Sequence, residues 1–345
     1  MSDSRLKRID EVTESLRVKP GAKVHLPEDF DSAYKLDGLK RKRGEKLLDE
    51  GIALLSEYQD RLAAQHTHGV LVVLQALDAA GKDGTIRHVM TGVNPQGVAV
   101  HGFKVPSDEE LSHDYLWRYA KQLPQRGQIC IFNRSYYEEV LVVRVHPELL
   151  ARQNVPGARK DGDIWKRRYE EINDFERHLT ANGFRIVKLF LNISKEEQRR
   201  RFLRRIDLAE KNWKFSAHDV AERRHFDDYQ KAFGQMLSHT STRHAPWYVI
   251  PADHKWFERI AAAAVLVKAL AEIDPQYPDV GESAHQSLLA AKADLEGQAG
   301  HGVPADPFQA ELDAERRAQR DGKGHADPDA ERRAEHPALE TLAGH

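Results

Sequence analysis

The chain has 345 residues, 40% of them hydrophobic, which suffices for one enzyme-sized core with appendages. A single cysteine, Cys130, excludes an intramolecular disulfide; inside an apolar run it reads as a small buried hydrophobe in a reducing compartment. The formal net charge of -2 argues against attachment to nucleic acid by global charge. The start MSDSRLKRIDEV has no apolar export core, and the apolar run 261–267 meets Lys268 well short of a bilayer span, so a cytoplasmic protein without membrane insertion is expected.

Residues 1–67 are charged, with helix-like apolar spacing only late, where Leu47, Leu48, Ile52, Leu55 and Tyr58 recur at steps of three and four. An extended arm followed by a helix is the expectation. From Val70 onward, short apolar runs at 70–77, 98–103, 128–132, 185–193 and 247–251 read as five strands. Amphipathic stretches near 84–91, 108–122, 164–182, 195–210, 216–238 and 255–273 read as the intervening helices. Strands alternating with helices predict an α/β fold with a parallel sheet flanked by helices, in a domain spanning 68–280. Beyond Tyr277 aromatics almost vanish, and the segment 284–345 reads as disordered or as frayed helix.

The segment VLVVLQALDAAGKDGTI passes from a buried strand through a tight turn into a helix, the context of a phosphate-binding P-loop. Backbone N–H groups along Ala79, Ala80, Gly81, Lys82, Asp83 and Gly84, the helix N-terminus and the Lys82 ammonium would converge on one anionic oxygen cluster. Two positions depart from the strict pattern: Ala76 replaces the first glycine, and Asp83 follows the lysine where a hydroxyl normally stands. Asp78 is informative because a carboxylate in a phosphate cradle repels the ligand unless a cation intervenes. It is the candidate ligand of Mg²⁺, with Mn²⁺ as the alternative ion; a helix N-cap is the competing role.

The segment QICIFNRSYYEEVLVVRVH sets a polar cluster after a buried strand, where α/β enzymes place ligand-binding groups. Arg134 suits charge on a transferring phosphoryl group, with a surface ion pair as the bland alternative. Asn133, Glu138 or Glu139 could complete a metal or nucleotide site. Further on, Arg199, Arg200, Arg201, Arg204, Arg205, Lys211, Lys214, Arg223 and Arg224 crowd one short span. Like charges four apart destabilise a bare helix, so an anionic ligand would compensate them; pairing with the interspersed acids is the alternative. This position, about 195–225, is that of a mobile lid in P-loop nucleoside kinases, closing over the reacting phosphates and excluding water.

In order, LDAAGKDGTIRHVMTGVNPQGV, LWRYAKQLP, GQICIFNRSYYEEVLVVRVH, EKNWKFSAHDVAER and APWYVIPADHKWF make the chain resemble the polyphosphate kinase 2 family, from about residue 29 to 277. The resemblance implies a thymidylate-kinase-like P-loop core with a five-stranded parallel sheet and a helical lid. It also implies Mg²⁺ dependence, transfer between inorganic polyphosphate and AMP, ADP or ATP without a phosphoenzyme, and a homo-oligomer. The Asn-Arg-Ser-x-Tyr-Glu form at Asn133 resembles class III, which accepts both AMP and ADP. By resemblance Asp78 is the metal-binding acid, Lys82 the P-loop lysine and Arg134 the strand-end arginine. Arg118 is similar to a nucleotide or phosphate contact, Glu138 faces the nucleotide beside Asn133, and Arg204, Arg205 and Lys211 resemble the lid's basic element. Competing readings are an ATP-dependent nucleoside monophosphate kinase and a noncatalytic polyanion-binding protein; nucleic acid is not expected, since no base-reading module accompanies Trp213 and Phe215.

Overall fold

In the computed structural model, residues 3–156 and 164–298 are described. Five parallel strands, β1 (Gly69–Ala76), β2 (Val98–Gly102), β3 (Ile129–Asn133), β4 (Phe184–Asn192) and β5 (Trp247–Pro251), form one sheet in the order β2-β3-β1-β4-β5. β1 pairs with β3 from Val70 opposite Ile129 and with β4 from Gly69 opposite Phe184. Its near-continuous apolar sequence follows from helices covering both sheet faces. β2, at the edge, is only partly buried. Chain order reverses beside β1, so the crevice beyond the carboxyl ends of β1, β3 and β4 is where an open α/β sheet binds ligands.

The N-terminal region is a helix, Asp3–Leu16, followed by an extended stretch and a second helix, Arg41–Gln65. This corrects the reading of 1–67 as an extended arm followed by a single helix. Val12 and Leu16 of the first helix are buried, but one apolar pair among charged neighbours is too sparse a stripe to register as periodicity. The stretch after it is tied down: the Val18 N–H donates to Trp247 O at 2.9 Å, and Asn192 Nδ2 donates to Phe30 O at 2.9 Å. Helix Arg41–Gln65 packs on helix Lys255–Ile273. Close approach is allowed by Gly44, where a Cβ would stand 2.8 Å from Ile260 and Trp256, and by the alanines at 261–263.

Three expected helices are shorter than their apolar patterns. The stretch 108–122 divides into Asp108–Ser112, opened by a Ser107–Glu110 capping box, and Trp117–Ala120; Asp114 Oδ1 accepts the Leu116 N–H between them. Helix Lys195–Asp207 gives way to a 3-10 turn, Ala209–Lys214, and 216–238 divides into Ala217–Glu222 and Phe226–Thr240. Helix Glu282–Gly297 belongs to a second unit that begins at Asp279, and the tail expectation beyond 298 lies outside the described residues. Among the described residues no helix is long and apolar enough to cross a membrane.

Candidate active site

β1 ends at Ala76 and the chain turns through Leu77–Gly81 into helix Lys82–Val89. Two left-handed residues make the turn, Ala79 at φ 65° and Gly81 at φ 119°. At Gly81 a side chain is barred twice, by the backbone angle and by Glu258 Oε1, 3.0 Å from where a Cβ would stand. The turn is gripped from behind by helix Lys195–Asp207. Gln198 Nε2 donates to Asp78 O at 3.1 Å, and Arg201 donates to the carbonyls of Ala79, Ala80 and Ala252. Lys82 folds back so that Nζ donates to Ala76 O at 2.9 Å. Burial lowers its pKa, against the raising effect of the Asp78 carboxylate.

From the end of β3, Arg134 reaches across to the turn. Its backbone is left-handed, φ 67°, and its N–H donates to Leu74 O at 3.1 Å, aiming the side chain at Asp78. Nη2 lies 2.8 Å from Asp78 Oδ1 and Nη1 lies 3.3 Å from Glu138 Oε2. Glu138 and then Asp78 raise the arginine's pKa, so it stays charged. Gln75 donates to Glu138 Oε1 at 2.9 Å in the amide orientation that satisfies both of its ends. Asn133 Nδ2 donates to Asp83 Oδ1 at 2.9 Å, and Lys214 of the lid approaches Asp83 Oδ2 at 3.7 Å.

Beneath Arg134 and Glu138 is a wholly buried polar clamp. Lys188 Nζ donates to Glu176 Oε2 at 2.6 Å, to Tyr137 OH at 2.9 Å and to Thr240 O at 2.7 Å. Glu176 Oε1 accepts the hydroxyls of Tyr136 and Tyr137 at 2.9 and 2.8 Å. Burial lowers the Lys188 pKa, opposed by Glu176. Tyr136 and Tyr137 directly precede Glu138, so this clamp fixes the short turn that carries it.

The cavity over these groups has a volume of about 950 Å³ and is lined by Asp78, Ala79, Gly81, Lys82, Asp83, Gly84, Asn133, Arg134, Glu138, Arg204, Arg205 and Lys211. Ala80, fully buried, supports the turn from within. Arg118 lies elsewhere: Nη2 donates to Lys104 O at 3.0 Å, Nε meets Glu110 at 3.2 Å, and the side chain lines a second cavity of about 240 Å³. Glu139 also turns away, to Arg168 at 3.2 Å.

The basic span divides by function. Arg199 and Arg200 pair with Glu196 and Glu197, Arg201 is spent on Glu197 and the turn's carbonyls, and Arg205 meets Asp219 at 3.1 Å. For these the interspersed acids do the compensating. Arg204 and Lys211 make no ion pair or side-chain hydrogen bond with any described residue, and both line the cavity. So do four cations to which the sequence motifs gave no role: Arg87 on the turn's own helix, Lys104 just past β2, and Lys255 and Arg259 on the helix after β5. The available signal was Lys255 itself, standing four residues past the end of a buried strand. Burial lowers the Lys255 pKa, helped by Arg201, Arg204 and Lys211; burial lowers that of Arg259 also.

Comparison with known proteins agrees with this geometry. A model of the polyphosphate kinase 2 (PPK2) family matches residues 38–278. An ADP-polyphosphate phosphotransferase of Rhodopseudomonas palustris is 47% identical over 287 residues, 82% of this chain and 98% of that protein. An AMP/ADP-polyphosphate phosphotransferase of Meiothermus ruber is 45% identical, over 79% of this chain and 98% of its own length. Among solved structures, polyphosphate kinase 2 from Arthrobacter aurescens superposes with a TM-score of 0.67 at 39% identity, covering 80% of this chain and 98% of that one. The phosphate turn, the strand-end arginine and the lid are thus those of a chain that belongs to the polyphosphate kinase 2 family.

Proposed function

We propose that this protein transfers the terminal phosphoryl group of inorganic polyphosphate to AMP or ADP, giving ADP or ATP and a chain one unit shorter, reversibly. The observation that carries the reading is a cavity with two unlike walls. One holds Arg134 in contact with both Asp78 and Glu138, and the other holds Arg87, Arg204, Lys211, Lys255 and Arg259, none of which forms an ion pair within 4 Å among the described residues. Five cations without a close ion pair exceed what one nucleotide's phosphates need, and a long polyanion would supply the missing charge.

A phosphate oxygen of the acceptor attacks the terminal phosphorus in line. A new P–O bond forms to the acceptor as the bond to the bridging oxygen of the chain breaks, and that oxygen leaves with its electron pair as the new chain end. No water enters the balance. Positioning and charge neutralisation suffice for such a transfer. Lys82 and the N–H groups of the turn hold the phosphoryl oxygens, Arg134 faces the charge that spreads over them, and Lys211 and Lys214 close the lid side against water.

Mg²⁺, or Mn²⁺ in its place, fits the donor set here. Among the described residues no cluster of three acidic, histidine or cysteine side chains stands ready to cage a metal. An ion held by one carboxylate, Asp78, with substrate phosphates and water needs no such cage. Bound there, it would neutralise charge between the phosphates and Asp78. Asn133, which holds Asp83 in place, adds no second carboxylate. The proposal extends to a cytoplasmic homo-oligomer: the lone, buried Cys130 suits a reducing compartment, and the family resemblance carries the assembly.

The test is a donor–acceptor matrix in which polyphosphate or ATP is offered with AMP, ADP, GMP or GDP and Mg²⁺. ADP and ATP should form from polyphosphate. Transfer from ATP to AMP with none from polyphosphate would leave an ordinary monophosphate kinase, and binding without turnover a polyanion-binding protein.

A further inference from the structure

Behind the phosphate turn lies an acid that the transfer chemistry above does not use. Glu258 stands in the first turn of helix Lys255–Ile273 and is 2% exposed. Its Oε1 accepts the Thr85 hydroxyl and presses against Gly81, while Oε2 is buried with no hydrogen-bond partner. The nearest guanidinium does not serve it. Arg201 spends Nε on Glu197 and both terminal nitrogens on the carbonyls of Ala79, Ala80 and Ala252.

The charges that act most strongly on Glu258 are cations, and the nearest acid of the packed helix Arg41–Gln65, Glu45, acts on Arg259 beside Arg41. Lys255 and Arg259 flank it on its own helix and Arg201 comes from helix Lys195–Asp207, while Arg204 and Lys211 stand beside Lys255 and Arg87 beside Arg259. An anionic carboxyl with one orphaned oxygen carries a desolvation cost that the neutral acid largely avoids. Burial pushes the Glu258 pKa up to about 7, against the Thr85 hydrogen bond and the charges of Arg201, Lys255 and Arg259.

We propose that Glu258 is a proton-linked acid of the phosphate cradle, giving up its proton as pH rises while the cradle is empty and keeping it when a polyphosphate chain fills the cradle. The inference rests on polyphosphate as the donor. Negative charge arriving at Lys255 and Arg259 is charge those groups no longer offer to a second anion beneath the turn. The proton comes from solvent and stays on the carboxyl, so no reactant bond depends on it. Linkage is reciprocal: if the chain favours the neutral acid, the neutral acid favours the chain. Affinity for the donor then weakens as pH rises and the acid must be neutralised on binding.

Glu258→Gln keeps the shape and removes the titration. Inorganic tripolyphosphate is titrated calorimetrically into both proteins, without nucleotide, at about pH 6 and about pH 8.5. The wild type should lose roughly 3- to 10-fold in affinity relative to the variant across that interval, tenfold corresponding to one unit of pKa shift. Parallel pH profiles overturn the proposal while leaving the donor assignment intact; absence of binding to the wild type at both values overturns both. A readout free of ligand checks the acid itself. A carboxyl whose pKa is raised by folding lends stability at low pH that is lost as pH rises through about 7, so the melting-temperature advantage of Glu258→Gln over wild type should grow from about pH 5 to about pH 8.5. A constant difference refutes the titration. Should Glu258→Gln not fold, Thr85→Val removes the hydroxyl that favours the anion, and the wild-type pH dependence of tripolyphosphate binding should move to higher pH; an unmoved curve is equally fatal.

Discussion

The two walls of the cavity solve the same electrostatic problem in opposite ways. On the β1–β3 side the strand-end cation has its anions: Arg134 lies between Asp78 and Glu138. On the side of helix Lys255–Ile273 and the lid, Arg204, Lys211, Lys255 and Arg259 repel one another across the space a ligand would fill. A paired wall keeps its geometry without substrate, which suits the place where atoms must be aligned. An unpaired wall holds an unfavourable charge density that only a polyanion relieves, which suits binding. Preorganisation and affinity are thus assigned to different elements of one fold.

If the paired wall is preorganised from below, breaking its buried clamp should give the largest effect. Lys188→Met leaves Glu176 as a buried anion facing two tyrosine hydroxyls, and removing one partner of such a pair typically costs about 3–5 kcal/mol. Denaturant unfolding should show that loss. The double variant Lys188→Met with Glu176→Gln should recover part of it, because the uncompensated charge is gone. Stability equal to wild type in the single variant would mean that the clamp does not hold the Tyr136–Glu138 turn.

Next in size is Lys82, which belongs to neither wall and lies half-buried where they meet. Lys82→Ala removes the ammonium that would turn from Ala76 O to the transferred group, and loss of one such donor lowers kcat by about 10² to 10³. Steady-state rates with polyphosphate and ADP should show the fall in kcat, with a smaller change in KM. A change confined to KM would move Lys82 from the chemistry to the binding wall.

How much of this was legible in the sequence depends on which force placed the residue. The phosphate turn was, because strand texture, Gly81-Lys82 and the following helix are all local signals, and Arg134 and Glu138 followed as the polar end of the next buried strand. Lys255 and Arg259 were not. Helix Lys255–Ile273 is so apolar that it reads as core, and only the sheet order, with β4 beside β1 and β5 beyond it, brings its first turn to the cradle. Arg201 was misread as a group for an external anion. In a run of arginines, sequence does not say which one faces inward, and burial selected Arg201 to bind backbone carbonyls. Arg118 stands apart for a related reason: its ion pair with Glu110 and its stacking over Phe103 hold it against the short helices of 108–120 instead of the cavity.

The smallest expected effects discriminate most finely, because they compare two arginines of the same cavity. Arg259 has no acidic ion-pair partner among the described residues and Arg205 is neutralised by Asp219. One charge at about 4 Å from a phosphate oxygen is worth about 1 kcal/mol in water, or roughly a fivefold change in affinity. Arg259→Ala should therefore raise the KM for polyphosphate about fivefold and make it less sensitive to salt, with the nucleotide KM unmoved. Arg205→Ala should change the polyphosphate KM less than about twofold, since the arginine it removes already has its counter-charge and the Asp219 it frees remains partly exposed to water. Measuring both at low and high ionic strength decides the matter. Equal losses would mean that the lid rearranges on binding and frees Arg205 from Asp219, so that pairing in the empty protein does not distinguish the walls. A large loss for Arg205 alone would reverse their assignment.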